Sequence, residues 1–507
     1  VPVAFGLMRG YDNRAEAPED RMTDKLHFKS AIELAKLVRE KKVSARELLE
    51  HFFKRVDQHN PKINAIIWQD RDRARKRADA ADAALARGDV WGPLHGVPMT
   101  IKESYQVAGS PTTWGLMEYK DKPTPGNALA VDRLERAGVV LFGKTNVPVM
   151  LADWQSYNPV YGTTNNPWDV TRGPGGSSGG SAAALAAGLT GIEAGSDIGS
   201  SIRDPSHYCG VFGLKPTYGI IPPRGQALPG VVAATDISVI GPMTRGAEDL
   251  DVALDAMAGP DLLDDTVWKL ELPQCPARSL KDLRIAVKMS DPNSEVDSAY
   301  ADKLQAFVDR LAKAGAKVTE TEPDVDTRRL HDVYVWLLRA ATSARTPDSD
   351  IERWQQALNS PDDGKTDRTY LKQMLHGATL PHKAWLILNN ERHALRFKFA
   401  EFFKDWDILL CPVAASAAFP HDQKNERWQR TIPVNNKRVP TTDQLFWAGY
   451  SGVVLLPSSV GPIGLTAQGL PVGYQAITAH GRDKTATAFA RFVEREICGF
   501  TPPPGFE

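Results

Sequence analysis

The chain has 507 residues, enough for several domains or for one large α/β domain. Hydrophobic residues make up 42% and charged residues 24%, an ordinary globular composition, and Lys+Arg 61 against Asp+Glu 62 leaves a formal net charge of −1. That balance excludes a global basic field for nucleic acid or anionic lipid, so the expected partner is a small neutral or mixed molecule rather than a polyanion.

Residues 1–21 start VPVAFGLMRG and lack the basic region of a signal peptide, while Met22 is a plausible start. They are expected to be an added or flexible leader, with residues 22–500 forming one domain. Ser30-Ala31-Ile32-Glu33 and Ser44-Ala45-Arg46-Glu47 read as capping boxes. Apolar residues at helical spacing follow each: Leu34, Leu37 and Val38, then Leu48, Leu49, Phe52 and Phe53. A polar, Ala-rich helix is predicted over 71–87.

Beyond it, short apolar runs lie between helices: Val139–Phe142, Leu283–Val287, Ile408–Leu410 and Val453–Leu456. Such runs read as buried strands. From Ser298 a helix carries Leu304, Phe307 and Leu311 on one face, then Ala314-Gly315 leads into a strand, AKVTE. This alternation implies a single α/β domain with a central mixed sheet covered by helices on both faces. The stretch 320–405 reads as a helical, Trp-bearing insertion on the substrate side of a core at about 90–250. No linker, charged tract or internal repeat divides the chain.

The four cysteines, Cys209, Cys275, Cys411 and Cys498, are scattered and read as reduced thiols of a cytoplasmic protein. No apolar run approaches the ~20 residues that span a bilayer. No metal-ligand cluster, dinucleotide fingerprint or pyridoxal context stands out, so neither metal nor cofactor is expected. The expected assembly is a monomer or homodimer without nucleic acid or membrane.

Three motifs compete for the chemistry. Gly138–Thr145, GVVLFGKT, satisfies the phosphate-loop pattern G-x-x-x-x-G-K-[ST]. Its context is wrong: Ala128–Ala137 is a helix, Gly138 ends it, and Val139–Phe142 is itself the strand. Backbone amides bound into a ladder cannot cradle a phosphate. Gly176-Ser177-Ser178-Gly179-Gly180 fits the nucleophile elbow G-x-S-x-G, but the preceding DVTRGPGG is polar and no context singles out His393 or His480 as the base. The run 173–191, GPGGSSGGSAAALAAGLTG, passes straight into a small-residue helix. Taken alone, it fits either a close-packed helix entry or a backbone surface shaped to receive a ligand.

GPGGSSGGSAAALAAG followed by GSDIGSSIRDPSHYCGVFGLKPTYG, with GVPMTIKES upstream, strongly resembles the amidase signature family of serine hydrolases. GKTN, YGTTNNPW, LRIAV, DILLCP and GLPVGYQAI extend the resemblance from Leu26 to about Val493. It implies a Ser–cis-Ser–Lys triad: Lys102 from GVPMTIKES, Ser177 as the bridging residue after a cis peptide, and Ser201 as nucleophile. It also implies an oxyanion hole on the backbone amides of Ile198, Gly199, Ser200 and Ser201. Asp197 and Arg203 flank this loop as a supporting pair, and Ser178 is expected to hydrogen-bond within the site. Where the family usually has Gly-Gly-Ser, this chain has Gly199-Ser200-Ser201, so a positive φ at Ser200 would be strained.

These residue types suit acyl transfer. A serine hydroxyl needs a base, and a lysine serves only when neutral. Its usual pKa of ~10.4 must fall by several units, which burial achieves. Val97, Pro98, Met99 and Ile101 make Lys102 part of an apolar strand. The implied reaction is hydrolysis of a small amide or carbamate through an acyl-enzyme. The alternatives within and beyond the family are a glutaminase subunit of a tRNA amidotransferase and an inactive scaffold. Trp114, Trp154, Trp336, Trp354, Trp385, Trp428 and Trp447 lie in the variable segments and are candidates for an apolar pocket or for the core.

Overall fold

Both predicted capping boxes form. Ser30 and Ser44 accept from the amides of Glu33 and Glu47, whose carboxylates reach back to the cap amides. Long-range acids reinforce each helix start: Asp249 receives the Ala31 and Ile32 amides, and Asp82 those of Ala45 and Arg46. The helices Ala31–Arg39 and Ala45–Ile63 then bury the expected faces, including Leu34, Val38, Leu48, Phe52 and Phe53. These observations come from a computed structural model that describes residues 26–507 except position 365; the leader expected at 1–21 lies outside the described residues.

The large sheet has eight strands. In spatial order they are Lys317–Glu320, Arg284–Val287, Ile408–Pro412, Pro471–Ile477, Ser458–Leu465, Phe212–Lys215, Val239–Thr244 and Glu193–Asp197. The first two pairings are parallel and the rest antiparallel, so the sheet is mixed as expected. A three-stranded sheet holds Ile66–Gln69, Val140–Thr145 and Pro98–Lys102, the last two in parallel with Lys102 opposite Thr145. A parallel bridge from Met99 to Ile192 joins it to the edge strand Glu193–Asp197. Two neighbouring strands therefore end side by side, with Lys102 close to Ser196. Helices flank the sheet, and 327–402 is helical as read, in four segments.

Two sequence readings are settled here. GVVLFGKT contains the fully buried strand Val140–Thr145, and the Lys144 amine donates to the Pro111 carbonyl at 2.6 Å and to Thr112 at 3.1 Å. No phosphate cradle exists there. The run Val453–Leu456, read as a strand, is instead a turn between the helix Leu445–Gly452 and the strand Ser458–Leu465. Leu455 turns the chain at φ 63°, and the run is apolar because it is buried on all sides, which strands and buried turns share.

No helix among the described residues is long and apolar enough to cross a membrane. Cys209 and Cys411 are buried free thiols, and Cys275 and Cys498 are half-buried and also free.

Candidate active site

The site forms where the strands Pro98–Lys102 and Glu193–Asp197 end beside the start of the helix Gly179–Ala186. Lys102 has no exposed surface. Its amine lies 2.7 Å from Ser177 Oγ, 2.9 Å from Ser178 Oγ, 2.9 Å from Ser196 Oγ and 3.4 Å from the Ser196 carbonyl. Among the described residues no carboxylate forms an ion pair with it. Burial, offset in part by the more distant Asp197, Asp204, Glu103 and Glu193, pulls its pKa down to about 7. A neutral amine in this shell donates two protons and accepts one, so a hydroxyl neighbour is a natural proton donor to it.

The peptide between Gly176 and Ser177 is cis, as the resemblance implies. Close packing surrounds it. A Cβ on Gly180 would lie 2.3 Å from the Asn146 amide nitrogen and 2.7 Å from its carbonyl oxygen. Gly175, at φ 87°, lies against Pro205, where a Cβ would sit 2.8 Å from Pro205 Cα. The close-packed helix entry is therefore what forms here. The glycines pack backbone on backbone, and that contact delivers Ser177 and Ser178 to the lysine.

Ser178 also ties the two halves together: its amide donates to the Ser201 carbonyl at 3.2 Å. The loop from Asp197 to Ser201 is fixed one peptide at a time. A trans peptide aims each carbonyl opposite the next N–H, so holding the carbonyl sets the amide. Tyr334 donates to the Ile198 carbonyl at 2.9 Å, which turns the Gly199 N–H to the other side. Trp154 Nε1 donates to the Gly199 carbonyl at 2.8 Å, and the Ser200 N–H accordingly faces Asp197 Oδ1 at 3.1 Å. The Ser200 carbonyl receives the Asp204 amide at 2.8 Å, which directs the Ser201 N–H away from the following helix.

This geometry corrects one expectation. Ser200 N–H is spent on Asp197 and is not a free oxyanion donor, which leaves Ile198, Gly199 and Ser201 of the expected four. Ser200 has φ 76°, the strained value that its replacement of glycine implies, and its hydroxyl is buried without a partner. Asp197 and Arg203 form the expected pair, fully buried and bidentate at 2.8 and 2.9 Å. Burial alone would raise the Asp197 carboxyl, but Arg203 outweighs it and holds the group below the usual range. Arg203 reaches on to Ser451 at 2.8 Å and Gln475 at 2.7 Å, so the pair braces the loop against distant elements.

No triad of the elbow type assembles. His207 puts Nδ1 on the Gly473 amide and Nε2 on the Ser416 carbonyl, and burial depresses its pKa to about 4. Neither His393 nor His480 hydrogen-bonds any of these serines. Residue reading alone missed Ser196, whose hydroxyl completes the lysine shell, and Gln226, which donates to Ser196 Oγ at 3.3 Å and Ser104 Oγ at 3.0 Å. It also missed Tyr334, while Trp154, named only as a pocket or core candidate, proves to be a hydrogen-bond donor to the loop. No local signal marks these contacts. Among the described residues no group of three or more His, Cys, Asp or Glu could hold an ion.

With the geometry in place, comparison with known proteins decides the family. The sequence profile of the Amidase family matches residues 47–486. The chain belongs to the amidase family. An acylamidase of Rhodococcus erythropolis is 34% identical over 472 residues, covering 90% of this chain and 93% of that protein. In Acaryochloris marina (strain MBIC 11017), one of the subunits of glutamyl-tRNA(Gln) amidotransferase is 31% identical over 462 residues, covering 86% of this chain and 91% of that one. A solved 6-aminohexanoate cyclic dimer hydrolase superposes with a TM-score of 0.76 at 25% identity, covering 95% of this chain and all of that one. This amidase is thus an α/β amide-hydrolysing enzyme.

Proposed function

We propose that this amidase cleaves the C–N bond of small amides, and of carbamates, with Ser201 as nucleophile, Ser177 as proton bridge and Lys102 as base. The observation that carries this reading is the amine of Lys102, buried, unpaired with any carboxylate among the described residues and 2.7 Å from Ser177 Oγ.

Ser201 Oγ attacks the carbonyl carbon while its proton passes to Ser177 and the Ser177 proton passes to Lys102 Nζ. The negative charge that develops on the carbonyl oxygen falls to the amides of Gly199 and Ser201, with Ile198 beside them. Collapse breaks the C–N bond, and the departing amine takes a proton from Ser177, which Lys102 replenishes. Water then attacks the ester by the same proton route in reverse. Atoms and charge balance with water as the only co-substrate. Ser178, Ser196, Asp197 and Arg203 position these groups.

A panel of anilides, primary amides and aryl carbamates tests this with the Ser201→Ala variant. Turnover should fall by at least about 10⁴-fold. Full turnover in that variant sinks the nucleophile assignment, and absence of labelling by a fluorophosphonate would favour an inactive scaffold. The likeness to a component of a tRNA amidotransferase supports a second reading, a glutaminase working with partner subunits, which co-purification with such a partner would establish.

A further inference from the structure

Two arginines near the 197–201 loop have no acid to pair with among the described residues. Arg339 sits near the end of the helix Thr327–Thr342, where Gly377 lets the helix Thr369–Ala378 come so close that a Cβ would lie 2.6 Å from Arg339 Cβ. Its guanidinium stacks on Tyr370, with Cζ 5.3 Å from the ring centre, and donates to the Tyr370 hydroxyl. Arg427 lies over the Trp154 ring at 4.6 Å and over Tyr370 at 5.9 Å, with Nη1 on the Ala152 carbonyl at 2.6 Å. Trp154 is the residue that holds the Gly199 carbonyl, so this nest is one indole ring removed from the proposed reaction centre.

Among the described residues neither guanidinium has a carboxylate within ion-pair distance, and Nε of each is buried without a partner. The acids nearby are committed elsewhere: Glu426 to Arg353, Asp153 to Arg430 at 2.5 Å, Asp332 to Arg328 at 3.6 Å. Burial, with the neighbouring positive charge of Arg427, lowers the pKa of Arg339, and Tyr370 offsets this only in part. An arginine does not escape such a position by losing its proton. Two half-buried cations with no acid paired to them among the described residues would gain from a counter-charge, and a planar fork stacked on aromatic faces leaves its N–H edges for a bidentate anion. An anion held on those edges would supply the counter-charge.

We propose that Arg339 and Arg427 together bind a carboxylate on the substrate, so that the preferred substrates are amides or carbamates whose acyl or amine part carries an acidic group. This rests on the hydrolase reading above and names the substrate class for it. A free inorganic anion shares the same chemistry, and the test separates the two.

The 4-nitroanilides of butyric and succinic acid differ by a carboxylate on the acyl chain. The kcat/KM ratio of succinyl to butyryl substrate is measured for wild type, Arg339→Gln and Arg427→Gln. Wild type should favour the succinyl substrate at least tenfold, mainly through KM, and each variant should bring the ratio close to one. If glutamine at 339 prevents folding, Arg339→Lys takes its place and should give an intermediate ratio. A wild-type ratio near one overturns the proposal, as does a high ratio that neither variant lowers. Inorganic phosphate raising the melting temperature of wild type but of neither variant, together with a ratio near one, assigns the nest to a free anion and also overturns it. Calorimetry with both anilides on Ser201→Ala reads binding without turnover. Tighter binding of the succinyl compound there, with no hydrolysis by wild type, would sink the reaction while leaving the carboxylate site standing.

Discussion

The segment from Gly173 to Thr217 and the helices from Thr327 to Phe402 are built on opposite principles. In the first, every residue is buried except Ile198, which stays half-exposed in the 197–201 loop. Backbone lies on backbone, and the same atoms that pack the fold also hold the proposed reacting groups. In the second, amphipathic helices bury one stripe, such as Leu330, Val333, Leu337 and Leu338, and leave Leu386, Ile387 and Phe397 exposed at 51%, 61% and 77%. The difference teaches where tolerance lies. A region set by helical period absorbs change on its outer face, whereas a region set by close contact has no slack. The two meet at Tyr334, a helix residue that grips the Ile198 carbonyl.

The comparison breaks hardest at Lys102. Lys102→Met should cost about 10³-fold in kcat/KM, the scale of a lost general base. In the proposed mechanism the neutral amine is the working form, so kcat/KM should climb with pH through an inflection near 7 and then level off. Lys215 is also buried with a pKa near 7, but its amine donates to the Leu456 carbonyl, so Lys215→Met should leave the inflection in place. The stability consequence has a definite sign. With the native pKa lowered from 10.5 to about 7, the unfolded chain binds more protons between those values, and stability rises with pH across that window. Chemical denaturation at pH 6 and pH 9 should therefore show Lys102→Met gaining more at pH 6.

Gly180→Ala tests the absence of slack. A methyl group meets the Asn146 backbone at 2.3 Å, and the loss should be about 3 kcal/mol in denaturation, with activity falling in parallel. Tyr334→Phe probes the junction. It removes one neutral hydrogen bond to a loop carbonyl, on the order of 1 kcal/mol, so kcat should drop about fivefold with KM little changed. Steady-state kinetics with unchanged kcat would show that Tyr334 does not orient the Gly199 amide. The smallest effect is expected on the exposed helix face: Phe397→Ser should shift stability by no more than about 0.5 kcal/mol, read as an almost unchanged melting temperature.

Local order is what the sequence expresses well. The capping boxes at Ser30 and Ser44, the helix from Ser298, the buried strand inside GVVLFGKT and the helical stretch after residue 320 all appear where pattern alone puts them. Lys102, Ser177 and Ser201 stood out through resemblance to a family, not through spacing. Val453–Leu456 misled because an apolar run reports burial, and a buried turn reads like a strand. Tyr334 lies 136 residues from Ile198 and Trp154 lies 45 from Gly199, separations that no helical or strand period encodes.

Left to itself, the amino-acid order determined which segments coil, which extend, and which residue types were on hand for acyl transfer, because those properties depend on neighbours a few positions away. Tertiary structure decided the rest. It chose the direction of each amide in the 197–201 loop, turned the Ser200 N–H inward onto Asp197, and stripped Lys102 of water. Peptide orientation and desolvation are set by groups that meet only after the chain has folded, and so they are written in the packing.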